Sequence, residues 1–309
     1  MDHSHHGHDH PQTFDEVIAR GFPRDGRAPA AVEAAIRRRA PRPAPPRLEA
    51  ATRVVTRVDQ DTWGEEEKKA FKNAVQKLVD DGTYLQLIQH HIDMSHVMHG
   101  SMGVVGLYRF LAWHRRYLVA FERELQRVDT ALRGSAAAPI AVPYWRWQDP
   151  FPAWLDGFLP AKDPVSGAQP GPRKKAAPPN KAAATDVDII VNQFSIQQTG
   201  LAGENDYTKF TWGVEGWGRR PNQTGLPAHN HGHSWVGGIM NNTSTSPTDP
   251  LFWLHHAEVD RLWSRWRDTH ATVRPLLQGA QLVMDPWAET YDDLVKTDPL
   301  GYTYPSGPL

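Results

Sequence analysis

Ten histidines in four groups constrain this chain more than any other feature: His90, His91, His96 and His99; His114; His229, His231 and His233; His255 and His256. Each group lies in or beside a segment with apolar residues at helical spacing. FLAWHRRYLVAFERELQRV (110–128) places Leu118, Phe121, Leu125 and Val128 on one stripe. DPLFWLHHAEVDRLWSRWRDTH (249–270) opens with an Asp-Pro helix start. Imidazoles carried inward by four such helices make a metal site in a bundle core. The predicted fold is mainly α, a four-helix bundle core with long loops and a few short strands.

Spacing narrows the ligands. His229 and His233 are four apart and share a helical face, as two ligands of one metal must. His255 and His256 are neighbours about 100° apart on a helix, so only one of them faces the metal. In the first group, a continuous helix would point His91 and His99 within about 80° of each other and His96 about 140° from His91. That favours His91 with His99, and His96 is the alternative. His114 sits in an apolar stretch, where a lone histidine is more often a hydrogen-bonded core residue; the other groups make it a candidate ligand.

Composition excludes several chemistries. The 309 residues contain no cysteine, which removes disulfides, thiolate metal sites and a cysteine nucleophile. All-imidazole donor sets suit copper, zinc, iron or nickel, and neutral ones fit Cu(I). HExxH is absent, so the metalloprotease pattern is missing. A net charge of -1 gives no field for nucleic acid or an anionic membrane. No apolar run approaches the ~18 residues of a membrane span, and the N-terminus lacks the basic and apolar regions of a secretory signal. The expected location is cytoplasmic, or exported with a helper protein.

Two regions are expected. Residues 1–58 hold a histidine tract (1–10), a short helix within 13–40 and a stiff PRPAPPR spacer (41–47). The tract lies outside every motif and is expected to be dispensable. Residues 59–309 form the catalytic unit, with a Pro-, Ala- and Lys-rich surface loop over 160–185.

FLAWHRRYLVAFE, HNHGHSWVGGIM and DPLFWLHHAEVDRLW together resemble the two copper-binding halves of tyrosinases, the type 3 binuclear copper phenol oxidases, with the bacterial members most alike. The resemblance runs over roughly 60–304 and implies two copper ions. It assigns His91, His99 and His114 to the first copper, and His229, His233 and His256 to the second. His255 becomes a supporting residue. In FTWGVEGW the resemblance marks Glu215 as a buried glutamate that orients a water, with Asn230 as its partner. YTY at 302–304 matches a closing tyrosine motif. Two features depart from the bacterial pattern. His99 lies fifteen residues before His114 where nine is usual, at Val105, and the linker from Glu215 to His229 is longer. Without cysteine, the thioether crosslink of some relatives cannot form.

The implied activity is oxidation of phenols and o-diphenols by dioxygen to o-quinones, with small phenols and dioxygen as partners and a copper-loading helper protein in addition. The alternatives are a catechol or o-aminophenol oxidase without hydroxylase activity, a hemocyanin-like dioxygen carrier, and a zinc hydrolase. The last would leave three histidines idle and lacks a carboxylate base near HNHGH.

Overall fold

The structure, a computed structural model, describes residues 13, 14, 16, 48, 53–174, 199–217 and 228–306. The histidine tract and the PRPAPPR spacer lie outside them, as does the second half of the Pro-rich loop. The described residues form six α-helices: α1 (Glu65–Asp80), α2 (Thr83–Ile92), α3 (Val104–Arg133), α4 (Asp206–Glu215), α5 (His229–Val236) and α6 (Leu251–Thr269). One parallel pair of short strands, β1 (Val55–Thr56) and β2 (Tyr302–Thr303), joins the two ends of this body. No helix among the described residues is long and apolar enough to cross a membrane.

The 30-residue α3 is the axis of the fold. It packs against α1, α4, α6 and α2. Its apolar stripe includes the expected Leu118, Phe121, Leu125 and Val128, all buried. Phe121 stacks face to face on Trp253 of α6 at 4.0 Å, and Trp266 stacks on Phe210 of α4 at 4.6 Å. Large flat rings bury much area with few rotatable bonds, so these pairs fix how the helices sit.

The continuous helix considered for the first histidine group does not form, although His91 and His99 still come together. No helix runs through the first histidine group. The chain leaves α2 at Ile92 because Asp93 turns back, its carboxylate accepting the Ser95 N–H at 3.1 Å. His96 then falls in a single 3-10 turn, and His99 is extended. His99 reaches the core because its carbonyl lies against the first turn of α3 at Gly106. A β-carbon there would stand 2.0 Å from that oxygen.

Below the histidines lies a buried charge network. Asp260 of α6 accepts hydrogen bonds from Arg115 Nε (2.5 Å), Arg57 Nη1 (3.2 Å), and the hydroxyls of Tyr302 and Tyr304 (both 2.7 Å). Arg57 also pairs with Glu122 of α3 at 3.0 Å and lies 3.5 Å from the centre of the Tyr302 ring. Val55–Arg57, in the region before Asp59, are thus built into the catalytic body together with YTY. Removing one member of a buried ionic network leaves the others desolvated and short of partners, at a typical cost of about 3–5 kcal/mol. Asp260→Ala should lower the free energy of urea unfolding by that amount, whereas Asp268→Ala, on the exposed end of α6, should change it little.

Candidate metal centre

The four histidine groups converge on one buried point as two triads. His91, His99 and His114 form one, and His229, His233 and His256 the other. His91 comes from the last turn of α2, His114 from the middle of α3, His229 and His233 from α5, and His256 from α6. All six are buried. His114 and His256 stack across the junction with ring centres 4.4 Å apart, so the triads share a wall.

Hydrogen bonds fix which nitrogen each ring presents. The Nδ1–H of His91 donates to the Ser244 carbonyl (3.1 Å), that of His114 to Phe110 (2.8 Å) and that of His233 to Met240 (2.8 Å). His229 donates its Nδ1–H to the Asn230 side-chain oxygen at 3.0 Å. With Nδ1 protonated, each Nε2 carries a lone pair. These lone pairs face one another. His91 Nε2 is 3.3 Å from His99 Nε2 and 3.5 Å from His114 Nε2. His229 Nε2 is 3.1 Å from both His233 Nε2 and His256 Nε2.

Opposed lone pairs at such distances repel unless a cation lies between them. Nitrogens bound to one ion at ~2.0 Å, with near-tetrahedral or trigonal angles, stand about 3.3–3.5 Å apart. The donor set and its spacing therefore fit a metal in each triad. Burial holds the imidazoles neutral: His99 is pushed down to about 3, and His91, His114, His229, His233 and His256 shift the same way.

The structure also separates the two ambiguous pairs. His255 lies near the second triad, but both of its nitrogens are engaged. Trp147 Nε1–H donates to its Nδ1 at 3.0 Å, and its Nε2–H donates to the His229 carbonyl at 3.1 Å. It has no lone pair to offer and instead braces His229. His96 is buried on the far side of Trp113, between Asp285 (3.0 Å) and Asp93 (3.6 Å).

Glu215 ends α4 beside the first triad. Its Oε1 accepts the Gly100 N–H at 2.7 Å and lies 3.7 Å from His99 Nδ1. Burial raises its carboxyl to about 8, against the pull of the Gly100 N–H and a hydrogen bond with Trp217. Gly216 then turns the chain at φ +108°, where a β-carbon would meet the Asn230 Cβ at 3.0 Å. The chain directly after Glu215 therefore packs against Asn230. Asn230 Nδ2 is a buried donor with no partner.

One residue at the site had no sequence signal. Phe14 is buried and its ring lies on His233, with centres 3.8 Å apart and planes at 14°. It meets His229 edge-on at 5.6 Å. A lone aromatic in a polar N-terminal stretch carries no periodicity, so only the folded chain brings it here.

A helical bundle presenting two opposed imidazole triads defines a class of protein, the binuclear metal proteins. Comparison with known proteins specifies the class. The family model described as the common central domain of tyrosinase matches residues 81–170 and 159–269. A tyrosinase of Streptomyces glaucescens is 30% identical over 274 residues, 77% of this chain and 94% of the relative. Among solved structures, an octopus hemocyanin functional unit is similar with a TM-score of 0.57 at 20% identity, covering 81% of this chain and 68% of that one. A mushroom tyrosinase is similar with a TM-score of 0.56 at 20% identity, covering 83% and 62%. The chain belongs to the tyrosinase family. It is a tyrosinase-like oxidoreductase whose cofactor is a pair of copper ions.

Two outcomes follow from the geometry. Copper analysis should give two ions per chain in the parent and in the His255→Ala and His96→Ala variants, but one in His99→Ala and His256→Ala. The metal-free protein should also lose stability in mild acid. Buried histidines held below their ordinary 6.5 contribute stability above that value and lose it as pH falls toward about 3. Glu215, held up at about 8, acts oppositely, contributing most below its ordinary 4.5 and losing that contribution as pH rises through 8. Seven such histidines, the six of the triads and His255, outweigh one glutamate at about 1.36 kcal/mol per group and pH unit. Urea unfolding of the metal-free chain should show a loss of more than ~2 kcal/mol from pH 7 to pH 5.

Proposed function

We propose that the chain oxidises monophenols and o-diphenols to o-quinones with dioxygen, and that it carries out the ortho-hydroxylation as well as the diphenol oxidation. For a monophenol, one dioxygen converts one phenol to one o-quinone and one water. For a diphenol, one dioxygen converts two molecules to two quinones and two waters. A copper pair, held by His91, His99 and His114 and by His229, His233 and His256, would supply the redox chemistry with dioxygen.

The rest falls to the chain's own groups. A phenol hydroxyl ionises near pH ~10, so a monophenol arrives protonated and must lose that proton to bind as phenolate. Glu215 and Asn230 support the hydroxylase reading, and the close approach of Gly216, the residue after Glu215, to Asn230 is the observation that carries it. Asn230 Nδ2 and Glu215 Oε2 are both buried without a protein hydrogen-bond partner, and Asn230 packs against Gly216, the residue after Glu215. A water spanning the two would satisfy that donor and take the phenol proton on its way to Glu215 Oε2. Nearby dications would draw the glutamate below the value of about 8 that it has without them, keeping it ionised as a base. The Gly100 N–H fixes Oε1 and leaves the second oxygen for the proton. His229 is steadied by Asn230 on its Nδ1, so the same amide couples ligand orientation to proton transfer.

A catechol ionises more readily and needs no oxygen insertion, so it depends less on that base. With two coppers bound, Glu215→Gln and Asn230→Ala should cut monophenol turnover at least ~10-fold more than catechol turnover, within the usual weight of a positioned general base. Equal losses on both substrates, or a parent enzyme inert toward tyrosine but active on catechol or o-aminophenol, would make the narrower oxidase the better description. Copper binding with reversible uptake of dioxygen and no turnover of any phenol would point to a carrier.

A further inference from the structure

Five of the six ligands ride on helices, and His99 does not. It lies in extended backbone between two short 3-10 turns. At the position that the bacterial pattern uses, nine residues before His114, stands Val105 on α3. The His99 ring also lacks the lock that its two partners have. His91 and His114 each donate Nδ1–H to a backbone carbonyl, whereas the nearest acceptor to His99 Nδ1, Glu215 Oε1, is 3.7 Å away, beyond a hydrogen bond. Placing this ligand therefore falls to the backbone that carries it.

That backbone contains a strained residue. Val97 stands at φ +50° and ψ +65°, a left-handed conformation that a β-branched side chain resists. Among the described residues it is the only one other than glycine at positive φ. Such a conformation persists where the surroundings over-determine it. On the C-terminal side of Val97, the Gly100 N–H donates to Glu215 at 2.7 Å and the His99 carbonyl accepts the Met102 N–H at 2.9 Å. On the N-terminal side the anchor is buried His96. Its Nδ1–H donates to Asp285 Oδ2 at 3.0 Å, and Asp93 Oδ2 lies 3.6 Å from its Nε2. Asp285 is tied in turn to α3, by an ion pair with Arg109 and by its carbonyl, which accepts the Trp113 Nε1–H at 2.8 Å. Trp113 packs on the His96 ring, with centres 6.0 Å apart, and directly precedes His114.

We propose that His96 is the positioning residue of the first copper site. Gripped by Asp285 and packed on Trp113, it pins the turn at Val97 to the same helix that carries His114, and so fixes where His99 stands relative to its two partners. It is not a ligand and acts through His99. A ligand moved off the helix needs another support, and this clamp supplies it. Without the clamp, Val97 can leave the left-handed region, and His99 moves with it. The second triad is built on α5 and α6, neither of which supplies a member of the clamp, so its copper is indifferent to His96. The role concerns retention of one metal ion and holds whichever phenol is oxidised.

The test isolates each copper in the full chain. His256→Ala, which should keep only the first copper, and His99→Ala, which should keep only the second, serve as backgrounds, and His96→Ala is added to each. Release of Cu(I) to excess bicinchoninate, followed by the colour of the chelate, should be at least ~10-fold faster when His96→Ala is added to His256→Ala, the usual weight of a residue that orients a ligand. Added to His99→Ala, it should change release little. At saturating copper, His96→Ala alone should still hold two ions, because it alters retention and not the donor set. Two further variants in the otherwise unaltered chain cover a failure of His96→Ala to fold. His96→Gln, whose amide can still donate to Asp285, and Asp285→Asn, which loosens the clamp from its other end, should each release one copper faster than the parent and the other at the parent rate. Equal acceleration of both coppers would make His96 a general packing residue, and no acceleration of either would detach it from the site; either result overturns the inference.

Discussion

The structure depends on the cost of gathering neutral imidazoles in a dry core. Six Nε2 lone pairs in two groups, with separations of 3.1–3.5 Å, repel one another until cations neutralise them. Nothing in the histidines themselves holds them in that arrangement. Each ring has to be locked from behind, and the locks on three of them are backbone carbonyls: Ser244, Phe110 and Met240. Two of those carbonyls come from one loop between α5 and α6, which is largely buried and carries two short 3-10 turns. A buried loop is sustainable where its polar groups find partners, and here the ligands are among those partners.

The charge network around Asp260 is the counterpart of the metal centre on the same two helices. Arg115 directly follows His114 on α3, and Asp260 lies one turn beyond His256 on α6. The ion pair between them fixes the register of α3 against α6, and with it the stacking of His114 on His256. Tyr302, Tyr304 and Arg57 close the network from the two ends of the catalytic body, so the strand pair β1–β2 and the ligand geometry are mechanically linked. Motifs such as WHRR and DRLW thus combine a functional face with a structural one a residue or a turn away.

Access is set separately from ligation. The long helices supply the metal-facing rings and most of the rings that wall them in, and these are permanent. The face of His233 is covered by Phe14, which is far away in sequence. Asn230 packs against the chain just after Glu215 because Gly216 has no side chain.

Much of this was legible in the residues. Helical periodicity around FLAWHRRYL and DPLFWLHH announced the long helices, and the four-residue spacing of His229 and His233 announced a shared face, because local geometry alone dictates both. The motif resemblance carried the family and the copper pair, and it singled out Glu215 and Asn230. Other points could not be read from local pattern. The helix expected through His91 and His99 ends at Ile92, and His99 enters the triad by a backbone contact with Gly106 that no wheel diagram contains. Between His255 and His256, a helical wheel gives only that one must face away. Which one is decided by Trp147, more than a hundred residues distant in sequence. Phe14 had no signal at all. The sequence determined which side chains could be ligands and on which helices they ride, because those facts follow from periodicity within one element. The tertiary structure decided which nitrogens point inward and which ring covers the site, because those depend on partners that only folding brings together.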